Sequence, residues 1–371
     1  MTKYPIREIR FEELAAELKC NNCAEPMIYA VLRDGVRYEF LIKSSAGSRQ
    51  AVVFGTGHLT ISREEWPFFS RQSWMNEIPC SCIYYFDPTL YLGPIELAWC
   101  YGTNERWYLR EIADILEILL KALDVPADSA LMMGSSGGGF TSIMLATMLR
   151  ARCMAINPQT DFRHYLEAPV EKLRQTVLRP DEDWIDERAD AVELMKREGF
   201  VPYVHIYQNV IVERDLKDHI IPLIQKYHNM GMGGADCGYG KIKLDFYQHP
   251  DGHNAMPMKK LCIAGMLQDL EAACLDTISP SDYRKSPVSA AYSVSGRDLT
   301  VRLDLGDRAA DGSWEFAYYL YRKKQVVTKI GYSRESEHVF DDLEPGDYSV
   351  KYFIRTAEGK QSYSMPILRI I

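Results

Sequence analysis

The sequence predicts a mostly parallel β-sheet with helices on both faces, followed by a small antiparallel β-sandwich. Three observations predict it. Short β-rich apolar runs alternate with helix-length periodic segments as far as Leu275. A turn of small residues, Gly134-Ser135-Ser136-Gly137-Gly138-Gly139, joins an apolar run to a helical one. Beyond Leu275 the pattern changes to short alternating runs split by turn residues.

Phe11 to Lys19 has the character of a short helix. Met27 to Leu32 and Arg37 to Ile42 alternate around Asp34-Gly35, which marks a hairpin. Gln50 to Phe54 is a short apolar strand ending at Gly55-Thr56-Gly57-His58, and Cys80 to Phe86 is another ending at Asp87-Pro88. In Trp107 to Leu123, the residues Leu109, Ile112, Ile115, Leu116, Leu119 and Leu120 share one helical face. After the glycine turn come a helix through Leu149 and a strand over 152–157, ending in Asn157-Pro158-Gln159-Thr160-Asp161. A polar helical region, 161–198, suits a lid. Tyr203 to Gln208 is a strand, Asp218 to Met230 a helix capped by Asp218, Lys241 to Tyr247 a strand, and Met258 to Leu275 the closing helix. The glycine-rich stretch Met230 to Lys241 follows a helix and precedes a strand, the reverse of a phosphate loop, and is taken as a connection.

Ser279-Pro280-Ser281-Asp282 reads as a linker between domains placed at 1–278 and 288–371. The second domain contains strands at Leu299–Leu305, Trp314–Tyr321, Gln325–Ile330, Tyr348–Arg355 and Tyr363–Ile370. Its tyrosines, Tyr318, Tyr319, Tyr321, Tyr348 and Tyr352, suit cross-strand packing better than a sugar-binding or docking face. The length, about that of one immunoglobulin or fibronectin module, fits a β-sandwich.

Composition narrows the function. A net charge of -8 argues against a nucleic-acid-binding surface, and no run of eighteen apolar residues offers a membrane span. The N-terminus lacks an apolar signal core, so the expected location is the cytoplasm. Nine cysteines are scattered. Cys100, Cys153, Cys262 and Cys274 suit core positions, and neither Cys20-x-x-Cys23 nor Cys80-x-Cys82 completes a zinc site, so no metal is expected.

The chemistry lies at Gly134-x-Ser136-x-Gly138. A strand, a tight G-x-S-x-G turn and a helix make the nucleophile elbow of α/β hydrolases, with Ser136 as nucleophile. A serine needs an adjacent base. In this fold the order is serine, acid, histidine. His253 fits the base: it follows the last strand, beside Gly252, with His249 as runner-up. The acid should follow the strand before, where Glu213, Asp215 and Asp218 compete. Glu213 is preferred, Asp215 is the alternative and Asp218 is assigned to the helix cap. Gly137 should give one oxyanion N–H, and Thr56 or Gly57 the other.

These stretches resemble a family of α/β-hydrolase-like proteins of bacterial surface-polysaccharide and glycan modification, some with a tyrosine-rich C-terminal β-sandwich. They are distantly similar to a glycan O-acetyltransferase among the accessory secretory proteins that export serine-rich adhesins. Phe69 to Trp74, Ala98 to Thr103, Gly134 to Phe140, Asn157 to Asp161, Gln208-Asn209 and Gly252-His253 carry the likeness, over about residues 50 to 260 plus the tail. The resemblance implies a Ser-His-acid site with carbohydrate as the substrate class. Ser136 and His253 carry over directly. The family places an aspartate soon after the Gln-Asn pair, where this chain has Val210-Ile211-Val212 and then Glu213. Arg71, Trp74, Asn157 and Gln159 would line a sugar or acidic-sugar pocket.

The expected activity is therefore serine-dependent acyl transfer on a glycan, as O-acetyl esterase or O-acetyltransferase. No cofactor is needed, and acetyl-CoA would be a donor if it is a transferase. Two rival readings use the same residues. One is a non-catalytic glycan-binding or scaffold protein of a polysaccharide-assembly system, docking through the β-sandwich. The other is a serine peptidase.

Overall fold

The computed structural model describes residues 4–20, 23–60, 65–230, 242–275, 289–305, 314–323, 325–356, 359–365 and 368–370. The glycine-rich connection over 231–241 and the linker over 279–282 lie outside the described residues. The chain divides into two compact units, Met1–Asp276 and Thr277–Ile371.

The first unit is built on nine strands: β1 (Ile6–Arg10), β2 (Met27–Arg33), β3 (Val36–Lys43), β4 (Ala51–Phe54), β5 (Ser81–Tyr85), β6 (Ala130–Ser135), β7 (Arg152–Ile156), β8 (Val204–Asn209) and β9 (Ile242–Tyr247). Their order across the sheet is β1-β2-β3-β5-β4-β6-β7-β8-β9. The β2–β3 hairpin turns at Asp34-Gly35, both with positive φ, as an Asp-Gly turn requires. From β5 to β9 every pairing is parallel. The carboxyl ends of β4, β6, β7, β8 and β9 therefore lie along one edge, where a parallel α/β sheet gathers its functional loops.

The helices are α1 (Phe11–Cys20), α2 (Tyr108–Ala122), α3 (Gly137–Leu149), α4 (Glu167–Val177), α5 (Ala191–Glu198), α6 (Ile221–Met230) and α7 (Lys259–Leu275), and they cover both faces of the sheet. In α2 the residues chosen from periodicity are the buried ones, Leu109, Ile112, Ile115, Leu116, Leu119 and Leu120. By contrast, α3 is buried on every side from Gly137 to Thr147, which makes it the central helix. On the other face of the sheet, α7 packs on β6 and β7. It is tied to β8 by a buried bond between His205 Nδ1 and Asp269 Oδ2, 2.7 Å.

One expectation is corrected and one strand was not anticipated. The strand β1 has four exposed residues of five and pairs with β2 through its backbone, so it carries no apolar signal. The helix expected from Asp218 begins earlier, with a turn at Glu213–Asp215 that runs through a π-turn, Leu216–Ile220, into α6, so Asp218 is not a cap. The region 161–198 packs Phe162, Leu173, Leu194 and Met195 into the main core.

The second unit has two antiparallel sheets. One is β10 (Ser289–Ser295), β11 (Asp298–Asp304) and β14 (Glu337–Phe340). The other is β13 (Gln325–Ser333), β12 (Glu315–Arg322), β15 (Gly346–Thr356) and β16 (Gly359–Ser364), with β17 (Leu368–Ile370) also on β15. Leu299, Val301 and Phe340 of the first sheet share a core with Phe316, Leu320, Val350 and Ile354 of the second, which makes a sandwich. Tyr318, Tyr348 and Tyr352 are buried in it. The run Tyr363–Ile370, expected as one strand, is two.

Leu116 of α2 is fully buried, and α2 packs on α3, which lies against β6. Leu116→Ala is expected to lower stability by about 2–5 kcal/mol, read from urea unfolding.

Candidate active site

At the end of β6, Ser136 takes φ 54° and ψ -124°, a conformation strained for a residue with a side chain. Glycine makes the turn feasible. A Cβ on Gly134 would lie 2.1 Å from the Gly138 carbonyl oxygen, and one on Gly138 3.1 Å from the carbonyl oxygen of Gly55. The bend lifts Ser136 Oγ clear of the sheet and starts α3 at Gly137, whose first-turn N–H has no intrahelical acceptor.

His253 sits in a short 3-10 turn, Gly252–Asn254, after β9. Its Nε2 is 2.7 Å from Ser136 Oγ, and its Nδ1 is 2.5 Å from Asp215 Oδ2. With the carboxylate accepting from Nδ1–H, Nε2 is the free base facing the serine hydroxyl. Asp215 is 1% exposed. Its other oxygen, Oδ1, has no hydrogen-bond partner, and the Arg214 guanidinium is 3.7 Å away.

The acid preference is corrected here. Glu213 has its side chain 77% exposed and pairs with Lys217 at 2.6 Å. The reason is helical geometry: residues two apart in a turn face different ways, so a turn that aims Asp215 inward sends Glu213 to solvent.

Asn157 and Gln159 also move from their expected roles. Asn157 is buried with φ 43° and faces the histidine loop. The two hydrogens on its Nδ2 are shared among three acceptors, the carbonyls of His253 (3.0 Å) and Ala255 (2.9 Å) and Tyr247 Oη (2.8 Å), while its Oδ1 accepts from Asn209 N–H at 2.8 Å. Asn209, quoted above only within a matching stretch, holds the same loop from the next strand, donating to the carbonyls of His249 (2.8 Å) and Gly252 (2.9 Å). Two asparagines at adjacent strand ends thus fix the base. His249 lends only its backbone to Asn209, and its side chain sits beside Asp251.

Gln159 is 0% exposed. Its Nε2 donates to Ser136 Oγ at 3.1 Å, and its Oε1 accepts from Trp99 Nε1 at 2.5 Å. The indole fixes which end of the amide faces the serine. Trp99 and Cys100 are both at positive φ, 50° and 53°. Asp87 holds that bend, with Oδ2 accepting from Cys100 N–H at 2.8 Å. Burial raises the Asp87 pKa against the pull of these hydrogen bonds.

The 55–57 loop lies against the elbow. Thr56 turns its hydroxyl away, donating to the Tyr85 carbonyl at 2.7 Å. A Cβ on Gly57 would be 3.3 Å from the Ser135 carbonyl oxygen and 3.7 Å from Gly138 N, so this backbone runs beside the start of α3.

Arg71, at φ 62°, donates from Nη2 to Ser135 Oγ at 2.6 Å and to Met256 Sδ at 3.1 Å. Trp74 is 8% exposed, packed edge-on against Phe54, with Arg71 5.7 Å and Lys259 5.9 Å from its ring centre. It is a support under Arg71, not an open plane for a sugar. The region 161–198 supplies a ring that was not anticipated: Tyr165 lies 5.9 Å from the His253 ring, with Arg214 over it at 5.7 Å. Burial raises the Tyr165 pKa. Among the described residues no cluster of His, Cys, Asp and Glu could hold a metal ion.

No family model matches this chain, and no curated protein does. Solved structures share its general course. The capsule O-acetyltransferase of Neisseria meningitidis serogroup A is 14% identical with a TM-score of 0.48, covering 69% of this chain and 99% of that one. An S-formylglutathione hydrolase from Agrobacterium tumefaciens is 15% identical with a TM-score of 0.47, over 68% and 97%. A Porphyromonas gingivalis dipeptidyl peptidase 4 is 10% identical with a TM-score of 0.49, over 69% of this chain and 37% of that one. At these levels the likeness carries no argument about the reaction.

Two outcomes are expected. Asp215→Asn should slow fluorophosphonate labelling of Ser136 by about 10³–10⁴-fold, because the imidazole loses the partner that sets its tautomer. Glu213→Gln should change it by less than about twofold. The second concerns His219, buried beside this site, whose pKa is pushed by burial from 6.5 down to about 4. The unfolded chain binds the proton more readily, so this contribution is complete above pH 6.5 and lost as pH falls toward 4. His219→Gln should flatten the stability–pH curve there by about 3 kcal/mol, measured by urea titration at several pH values.

Proposed function

We propose that this chain is a serine-dependent acyl-transfer enzyme that works on carbohydrate esters, as a glycan O-acetyl esterase or O-acetyltransferase. One observation carries the reading: a strained Ser136 at a strand-to-helix elbow in line with His253 and a buried Asp215, at 2.7 Å and 2.5 Å. An acyl-transfer nucleophile needs this geometry. The glycan part rests on the sequence resemblance described above.

In the proposed reaction Ser136 Oγ attacks the ester carbonyl carbon while its proton passes to His253 Nε2. Asp215 steadies the imidazolium through Nδ1–H. The negative oxygen of the tetrahedral intermediate sits at the start of α3, receiving Gly137 N–H and an N–H of the Thr56–Gly57 backbone. Collapse breaks the C–O bond to the sugar, which leaves with the proton from His253. The acyl-serine is then attacked by water or by another sugar hydroxyl, with His253 again taking the proton. The first outcome is hydrolysis and the second is transfer. A transferase would load Ser136 from a donor such as acetyl-CoA. Gln159 Nε2–H, donated to Ser136 Oγ, leaves the hydroxyl proton facing His253.

The test is covalent labelling with a fluorophosphonate beside hydrolysis of p-nitrophenyl acetate. Wild-type protein is expected to label at Ser136 and to turn over the ester, and Ser136→Ala to lose the label and on the order of 10⁴-fold or more in rate. Folded wild-type protein that takes no label and matches Ser136→Ala on every ester would leave the scaffold reading standing. Turnover of peptidyl but not sugar-ester substrates would point to a peptidase.

A further inference from the structure

Among the described residues, three cations near the site face a carboxylate or backbone carbonyls, and one does not. Lys259 pairs with Glu77 at 2.5 Å. Arg214 faces Asp215 at 3.7 Å. Arg188, whose pKa burial also lowers, gives its N–H groups to the carbonyls of Thr103 (2.7 Å) and Asn104 (3.2 Å). Arg71 has neither a carboxylate nor a carbonyl acceptor among the described residues. Its Nη2 is shared between the Ser135 hydroxyl and the Met256 thioether, a weak acceptor. Its Nε is buried with no partner.

Its position is as informative as its lack of a partner. Ser135 precedes the nucleophile, and Met256 lies just past the loop that carries His253. The guanidinium therefore bridges the end of β6 and the segment after the His253 loop, with the Trp74 ring 5.7 Å away. Burial pushes its pKa from 12.5 down to about 10, with only the Cys262 thiol and Tyr84 phenol pulling the other way. It is still a full cation at neutral pH. A half-buried cation without a counter-charge costs stability, and such a cost is retained where a ligand supplies the missing charge. The chain as a whole carries -8, so this local excess of positive charge is not a property of the general surface.

We propose that Arg71 binds a negatively charged group on the substrate, so that the ester handled at Ser136 sits on an acidic sugar bearing a carboxylate or a phosphate. This deepens the reading of Ser136 as nucleophile and rests on it for the reaction, though not for the binding. A guanidinium presents a fork of N–H donors that matches both oxyanions, and such charge-assisted bonds are the strong ones.

The test uses full-length wild type, Arg71→Gln, Arg71→Lys and Ser135→Ala. Each is titrated calorimetrically with methyl glucuronide, glucose 6-phosphate and methyl glucoside, and assayed on acetylated methyl glucuronide and acetylated methyl glucoside. Wild type should bind at least one anionic sugar about tenfold or more tighter than the glucoside. Preference for the uronate or the phosphate alone identifies the anion. Arg71→Gln should abolish the preference and lower the glucuronide-to-glucoside ratio of kcat/KM by about 10–100-fold, mostly through KM. Arg71→Lys should restore part of it. Ser135→Ala, which keeps the charge and removes the bridge, should retain the preference. Equal binding of all three sugars by wild type, or a preference that survives Arg71→Gln, overturns the proposal. So does loss of the preference in Ser135→Ala equal to that in Arg71→Gln, which would make Arg71 a structural tie. Fluorophosphonate labelling separates the two readings. Labelled protein with no anion preference refutes the role of Arg71 alone. Unlabelled protein whose anion preference disappears in Arg71→Gln refutes the nucleophile and supports the anion site.

Discussion

The site depends on one close backbone approach. The first turn of α3 folds back over the end of β6, so that a Cβ on Gly134 would overlap the Gly138 carbonyl at 2.1 Å. On its other side Gly138 meets the backbone of Gly55 and Thr56, the end of β4. One glycine pair thus determines two things together. It bends the chain enough to hold Ser136 at φ 54°, and it brings the neighbouring strand's loop beside the first free amides of α3. In the proposed reaction this contact sets the nucleophile and the oxyanion donors together, while Gly137 and Gly139 make room for other neighbours, Leu97 at 2.6 Å and Pro158 at 3.0 Å from an added Cβ.

The base is held differently. A histidine on a loop has little rigidity of its own. Here the loop's carbonyls are taken up by Asn157 and Asn209, each at the end of a parallel strand, and by Tyr247 at the end of β9, which donates to the Ala255 carbonyl at 2.8 Å. Each side-chain bond replaces one that a loop would otherwise give to water. The two asparagines are also bonded to each other through Asn209 N–H. The sheet thereby extends its order into the catalytic loop, and the His253 ring inherits the positions of β7 and β8.

The charge around the nucleophile is unbalanced. Asp215 is the buried carboxylate in contact with the base, and one of its oxygens is committed to His253. Arg214 and Arg71 each have a buried Nε with no partner among the described residues. Such groups cost stability and are tolerated at sites that complete themselves with ligand. The nearby His205 network, with carboxylates on both ring nitrogens, shows the opposite case: a histidine fully partnered within the fold.

The sequence by itself determined the sheet-and-helix alternation, the elbow and the histidine, because each leaves a local mark. Parallel core strands are continuously apolar, a strained turn requires glycine, and a base must follow the last strand. It determined the sandwich through period-two alternation, and of the five tyrosines Tyr318, Tyr348 and Tyr352 are interior while Tyr319 and Tyr321 are half-buried. Only the tertiary structure decided the acid, since Glu213 and Asp215 lie two residues apart on one loop and the direction of one helical turn separates them. It also decided that Asn157 and Gln159 point inward, to the histidine loop and to Ser136, and that Trp74 is a support. Those assignments depend on which face of a loop meets the core. That is set by long-range packing of strands and helices far apart in the chain, and no local pattern records it.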